Sequence, residues 1–138
     1  MTILELTLVG RPITKKNSMM FVRDKRGNPH LIQKQAFRKY ERNCFDQLYK
    51  WRYENDFREA IEQKLNLKAI YYLPNRRGYP DLAGLIQGTC DILEKGGIIT
   101  DDKNIISFNG SKIAGIDKKN PRVEIELTVI DKKGVKNE

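Results

Sequence analysis

The chain has 138 residues and a formal net charge of +8, with 26 Lys and Arg against 18 Asp and Glu. That length fits one domain with a buried core, and 39% hydrophobic with 32% charged residues fits a soluble globular protein with a heavily charged surface. The excess of cations favours a polyanionic partner, nucleic acid above all, and weighs against an enzyme of small acidic ligands with no nucleic-acid role.

The opening segment M-T-I-L-E-L-T-L-V-G alternates like a strand over Ile3 to Val9 and lacks the basic start of a signal peptide. No apolar run approaches the roughly 20 residues of a membrane helix, so no membrane partner is expected. The two cysteines, Cys44 and Cys90, lie in helical patterns without C-x-x-C spacing. They read as buried thiols in a reducing compartment, which points to a cytoplasmic protein. Gly10-Arg11-Pro12 ends the first strand, and Lys15-Lys16-Asn17-Ser18 follows as a basic, polar loop. Such a loop offers phosphate contacts without base-reading geometry, or is a solvated turn. Met19 to Arg23 and His30 to Gln33 read as two strands around the turn cluster Asp24 to Asn28. His30 is the only histidine; beside a turn, with no second histidine to share a metal, it reads as a surface residue and is assigned no role.

Gln35 to Lys50 is helical, with Phe37, Tyr40, Cys44, Phe45 and Leu48 on one stripe and basic residues beside it. Asp56 to Gln63 reads as a weaker, short helix. Leu65 to Leu73 has the apolar character of a central strand. It runs into Pro74-Asn75-Arg76-Arg77-Gly78, a loop whose arginines either hold a phosphate under attack or face water.

The segment Tyr79 to Lys103 organises the rest. Pro80 punctuates, Asp81 is a short helix-capping residue, and Leu82, Leu85, Ile86, Thr89, Ile92 and Leu93 recur at helical spacing. Gly96-Gly97 ends the helix and Asp101-Asp102 closes the segment. Acidic residues thus stand at the helix start, on its body (Asp91) and beyond its end. A helix of this length spans roughly 18 Å, so Asp81 and Asp102 meet only if the chain runs back beside it. Clustered carboxylates of this kind call for a cation, and hard oxygens suit Mg²⁺ or Mn²⁺. The alternative is that Asp81 is only a cap and Asp101-Asp102 a solvated turn.

Asn104 to Ile113 is expected to be a strand bent at Gly110, followed by a loop with Lys118 and Lys119. Arg122 to Ile130 is the last strand, with Glu124 and Glu126 on one face, solvent-facing or, for one of them, a substitute metal ligand. A single domain over 1–131 and a charged tail over 132–138 complete the organisation. Strands at both ends with helices between predict an α+β fold: a mostly antiparallel sheet of about five strands with helices 35–50 and 82–95 packed on it.

The pattern Pro80, Asp81, Leu85, Asp91, Leu93, Gly97, Asp101 and Asp102 resembles the RusA-like Holliday junction resolvases of bacteria and their prophages. So do G-R-P-I-T-K-K-N-S at Gly10 to Ser18 and N-P-R-V-E-I-E-L at Asn120 to Leu127. The resemblance implies a Mg²⁺-dependent homodimeric endonuclease that nicks four-way DNA junctions in recombination or repair, with no small-molecule cofactor. It implies catalytic and metal-binding roles for Asp81 and Asp102, with Asp101 and Asp91 as further metal neighbours. Lys15, Lys16, Asn17, Arg76, Arg77 and Lys112 are the expected DNA contacts. The chain departs from the family pattern P-D-x-D-N-L-x-K at Ala83, Gly84 and Gln87. Those departures leave open a non-catalytic or weakly catalytic protein that binds junctions and retains the fold. Gly84 and Gly88, four apart on an apolar helix, allow close approach either of a second copy at a two-fold or of the chain's own sheet.

Overall fold

The computed structural model describes residues 1–15, 19–33 and 35–130, and side chains at all of these except 19–20 and 31–33. Lys16, Asn17 and the tail expected at 132–138 lie outside the described residues. The chain runs β1 (Thr2–Val9), β2 (Met19–Arg23), β3 (Pro29–Gln33), α1 (Gln35–Glu54), β4 (Leu65–Leu73) and α2 (Leu82–Lys95). It continues through a 3-10 turn at Asp102–Asn104 to β5 (Ile105–Ser107), β6 (Lys112–Ile116) and β7 (Arg122–Val129). The fold is α+β, as predicted. The main sheet has five strands in the order β1-β7-β4-β5, with β6 also on β4. The β1–β7 and β4–β7 pairs are antiparallel, while β5 and β6 pair with β4 in parallel. β2 and β3 form a separate two-stranded hairpin.

Period-two alternation decides which face is covered. Leu4, Leu6 and Leu8 of β1, Leu65, Leu67, Ala69, Tyr71 and Leu73 of β4, and Val123, Ile125 and Leu127 of β7 are all buried. Against them α2 lays Leu85, Ile86, Thr89, Cys90, Ile92 and Leu93, and α1 adds Cys44 and Leu48. The apolar stripe of α2 is therefore buried in the chain's own core. A hydrogen bond of 2.7 Å between the Tyr71 and Thr89 hydroxyls ties β4 to α2 inside that core. Among the described residues, no helix is long and apolar enough to cross a membrane.

Three local expectations need correction. Residues 56–63 are not helical. Asp56 takes a left-handed φ of 50°, and the Phe57 N–H reaches back to the Arg52 carbonyl at 2.8 Å, so α1 closes in a Schellman-type cap. Ile61 then bridges Ile99, and the intervening chain has no helical hydrogen bonds. The strand expected over 104–113 is two strands with a break at 108–111, where Gly110 has φ 87°. The Ser111 hydroxyl fills that gap, accepting from Ala69 N at 2.9 Å and donating to Leu67 O at 3.0 Å. A side chain thus satisfies the β4 backbone where no strand lies beside it. Finally, α1 runs four residues past Lys50, through Trp51 and Tyr53, to Glu54.

Candidate metal centre and its cleft

Both ends of α2 are built by local rules. Asp81 is extended (φ −82°, ψ 146°), and its carboxylate accepts the Gly84 N–H at 3.0 Å, satisfying one orphan donor of the first turn. At the other end Gly97 takes φ 82°, while Ile98 N–H donates to Leu93 O at 2.9 Å and Gly97 N–H to Glu94 O at 3.1 Å. This Schellman cap reverses the chain. Ile98 and Ile99 are then buried in the core, which brings Asp101 and Asp102 back alongside the helix. Asp102 is fastened there because its N–H donates to Glu94 Oε1 at 2.8 Å.

A cleft of about 450 Å³ follows one face of α2, lined by Thr14, Lys15, Asp81, Ala83, Gly84, Gln87, Gly88, Asp91 and Asp102. Gly84, Gln87, Gly88 and Asp91 share that face by their three- and four-residue spacing. Along the axis, Gly84 and Asp91 are roughly 10 Å apart at the rise of an α-helix. The chain therefore does bring Asp81, Asp91 and Asp102 to one cleft, with Asp81 at its start and the other two further along. Gly84 is needed at that start: a methyl group there would stand 3.0 Å from Asp81 Oδ1 and 3.0 Å from Thr14 Cγ2. At Gly88 a methyl group would meet nothing within 4 Å.

The carboxylates in this neighbourhood are not equivalent. Asp91 Oδ2 is held by Lys15 Nζ at 3.3 Å and by Lys95 Nζ at 3.2 Å, one turn further on. Asp101 caps the 3-10 turn by accepting Lys103 N–H at 2.8 Å, and that bond lowers its pKa. Asp102 is shifted the other way. Its hydrogen bond with Asp101 comes first, then loss of solvent and the charges of Glu94, Asp101 and Asp91, and together they raise its pKa above 3.8. Carboxylate oxygens of Glu94, Asp101 and Asp102 lie within 4.8 Å of one another.

These three exposed carboxylates could hold a divalent cation, which takes hard oxygen ligands. Glu94 was missed from sequence because it lies off the apolar stripe. It follows Asp91 by three residues, however, and that spacing puts both on one flank of the helix. Thr14, a buried residue of the cleft wall, carried no signal of its own.

Several expected residues fall elsewhere. Arg76 and Arg77 are exposed in the loop between β4 and α2, and Lys112 is exposed on β6. None of them lines the cleft. Glu124 lies on the opposite sheet face from the core and pairs with Arg122 at 3.0 Å, so it cannot replace a ligand at α2. Cys90, beside the cleft, is no nucleophile: burial first, then the negative charges of Asp102 and Asp91, push its thiol up to about 12.

A family model described as endodeoxyribonuclease RusA matches residues 10–128, which contain every element from β2 to β6 and all the carboxylates above. Among curated proteins none matches.

Proposed function

The chain belongs to the RusA endodeoxyribonuclease family, and from that premise we propose that it is a Mg²⁺- or Mn²⁺-dependent nuclease that nicks four-way DNA junctions. Its setting would be cytoplasmic recombination or repair. The observation that carries the metal dependence is Asp102, which joins the cleft of Asp81 and Asp91 to the carboxylates of Glu94 and Asp101. Glu94, Asp101 and Asp102 would hold the ion, and Asp81 and Asp91 face the same cleft. An ion held there would supply positive charge and would lower the pKa of a bound water.

The chain's own residues do the rest. The Gly84 N–H fixes Asp81 at the mouth of the cleft. Lys15 sets an ammonium on the rim, where the family's helix lysine is replaced by Gln87, and can balance charge developing on a phosphate. Arg76, Arg77 and Lys112, with Lys16 and Asn17, supply backbone phosphate contacts that give affinity without base specificity. A homodimer would present two equivalent clefts to the two-fold symmetry of a junction.

One observation favours a second reading, a junction-binding protein that cuts poorly. Ala83 and Gln87 line the cleft where the family pattern has a carboxylate and a lysine, and Asp91 is already neutralised by two lysines. A nicking assay on a synthetic four-way junction with Mg²⁺ or Mn²⁺ decides between them. Paired nicks near the crossover, absent without the ion, support the nuclease. Tight binding without nicking in either ion overturns it in favour of the second reading. Sedimentation at micromolar concentration tests the dimer: a single 16.1 kDa species would remove it.

A further inference from the structure

On the other side of Pro80 from the carboxylate cleft lies a second hollow, of about 540 Å³, where the end of β1, the first turns of α1 and the β4–α2 loop meet. Its wall carries Arg11, Lys39 and Arg77 and, among the described residues, no Asp or Glu. Arg11 Nη2 donates to the Arg77 carbonyl at 3.3 Å, so Arg11 is anchored on the backbone of the loop that carries Arg77, 66 residues away in the chain, and both line the same wall. Several cations elsewhere are matched: Lys15 and Lys95 on Asp91, Arg122 between Asp117 and Glu124, Lys68 near Glu126. Arg11, Lys39 and Arg77 form no ion pair among the described residues. Convergent positive charge with no acid beside it is unfavourable until an anion enters. Guanidinium groups also offer the forked donors that suit phosphate oxygens.

We propose that this hollow is a phosphate-binding site for the DNA strand that continues out of the carboxylate cleft, with Arg11 and Lys39 as contacts. The assignment to DNA rests on the nuclease reading above; the chemistry it shares with a free nucleotide is the phosphate. Continuity favours the strand: Pro80 lines this hollow, and its neighbour Asp81 lines the cleft. The two hollows thus share adjacent wall residues, close enough for one strand to reach both. Arg11 and Lys39 are exposed, so charge removal there leaves the core untouched.

The test uses the full chain, wild type and Arg11→Gln/Lys39→Gln, with Arg11→Lys/Lys39→Arg as the charge-keeping control. Junction binding is followed by fluorescence anisotropy against salt, without divalent ion. The double Gln variant is expected to flatten the slope of log affinity against log salt by about 0.7–0.9 for each phosphate it no longer neutralises, and the control to keep the wild-type slope. Neutral methylphosphonate linkages walked along the strand beside the crossover should weaken wild type at one position and leave the Gln variant indifferent there. An unchanged slope with equal sensitivity at every linkage overturns the proposal.

A labelled trinucleotide and a mononucleotide monophosphate are titrated in parallel. Loss of mononucleotide binding in the Gln variant, with junction binding unchanged, overturns the strand assignment in favour of a free nucleotide. If wild type binds no junction at any salt, the nuclease reading fails, and the trinucleotide still decides the hollow. Binding that depends on Arg11 and Lys39 upholds a phosphate site, and equal binding by both proteins overturns it.

Discussion

Two hollows flank the start of α2, and they are electrostatic opposites. The carboxylate cleft balances most of its own charge: a backbone N–H on Asp81, two lysines on Asp91, another N–H on Asp101. Asp102 differs: its hydrogen bond with Asp101, then loss of solvent and the charges of Glu94, Asp101 and Asp91, raise its pKa. The hollow beyond Pro80 balances nothing, since its arginines and lysine meet no carboxylate among the described residues. One short segment, Arg77 to Gly84, thus separates a hollow lined by carboxylates from one lined by cations. A metal-assisted attack on a phosphodiester needs both side by side.

The most severe break is on the acidic side. Asp102→Asn, or Asp81→Asn, should lower junction nicking by at least about 10²-fold, the usual scale for removing a positioned charge-stabilising group. Junction binding should hold or tighten, because a negative charge facing phosphates is gone. If both variants cut at the wild-type rate, the cleft is not the active site. Glu94→Gln should act more mildly. It removes charge from the cluster and keeps the shape, so the Mg²⁺ needed for half-maximal nicking should rise by about ten-fold, in the range typical of groups supporting a metal. An unchanged Mg²⁺ requirement would take Glu94 out of the ion's surroundings. Ala83→Asp probes the same balance from the other side: added charge at the cleft wall should lower the Mg²⁺ requirement.

How much of this was legible beforehand follows from how local each feature is. Pro80-Asp81 before an apolar stripe and Gly96-Gly97 after it mark both caps of α2, because capping depends on a few adjacent residues. The alternation in β1 and β7 is equally local and gave strands within a residue or so of those observed. The meeting of Asp91 with Lys15 and of Arg11 with Arg77 is different, since nothing in a sequence window links residues 76 or 66 apart. The helix expected at 56–63 failed for a related reason: its weak periodicity was overridden when Ile61 found a tertiary partner in Ile99. Ser111 replacing a strand's backbone bonds is likewise visible only once β4 has a neighbour.

The raised pKa of Asp102 makes the cleft's charge sensitive to pH, and the sign follows from its cause. A carboxyl whose folded pKa exceeds its unfolded value contributes stability that is full below the ordinary value of 3.8 and lost as pH rises through the folded value. Near neutral pH the metal-free cluster is thus under repulsion that a cation relieves. Added Mg²⁺ should raise the melting temperature more at pH 7 than near pH 4, because protons compete with the ion for Asp102 as pH falls. An ion effect equal at both pH values would mean that binding does not involve Asp102. Asp101→Asn should shrink the pH dependence, because its hydrogen bond is the first cause of the shift.

The smallest expected effect separates the two glycines of the cleft and bears on the dimer. Gly88 sits in the helix interior with nothing within 4 Å of an added methyl group. In an isolated chain Gly88→Ala should therefore stabilise by roughly 0.5–1 kcal/mol, the helix-propensity difference, and raise the melting temperature by a few degrees. Gly84→Ala should do the reverse, because its methyl group would press on the Asp81 carboxylate and Thr14 at 3.0 Å; it should also lower nicking by moving Asp81. A second copy packed along this face would change the outcome at Gly88 alone. There the alanine would meet the partner helix, melting would fall with a dependence on protein concentration, and sedimentation would show dissociation. A concentration-independent gain in stability with the dimer intact would place the two-fold elsewhere and leave the face of Gly88 open to the DNA backbone.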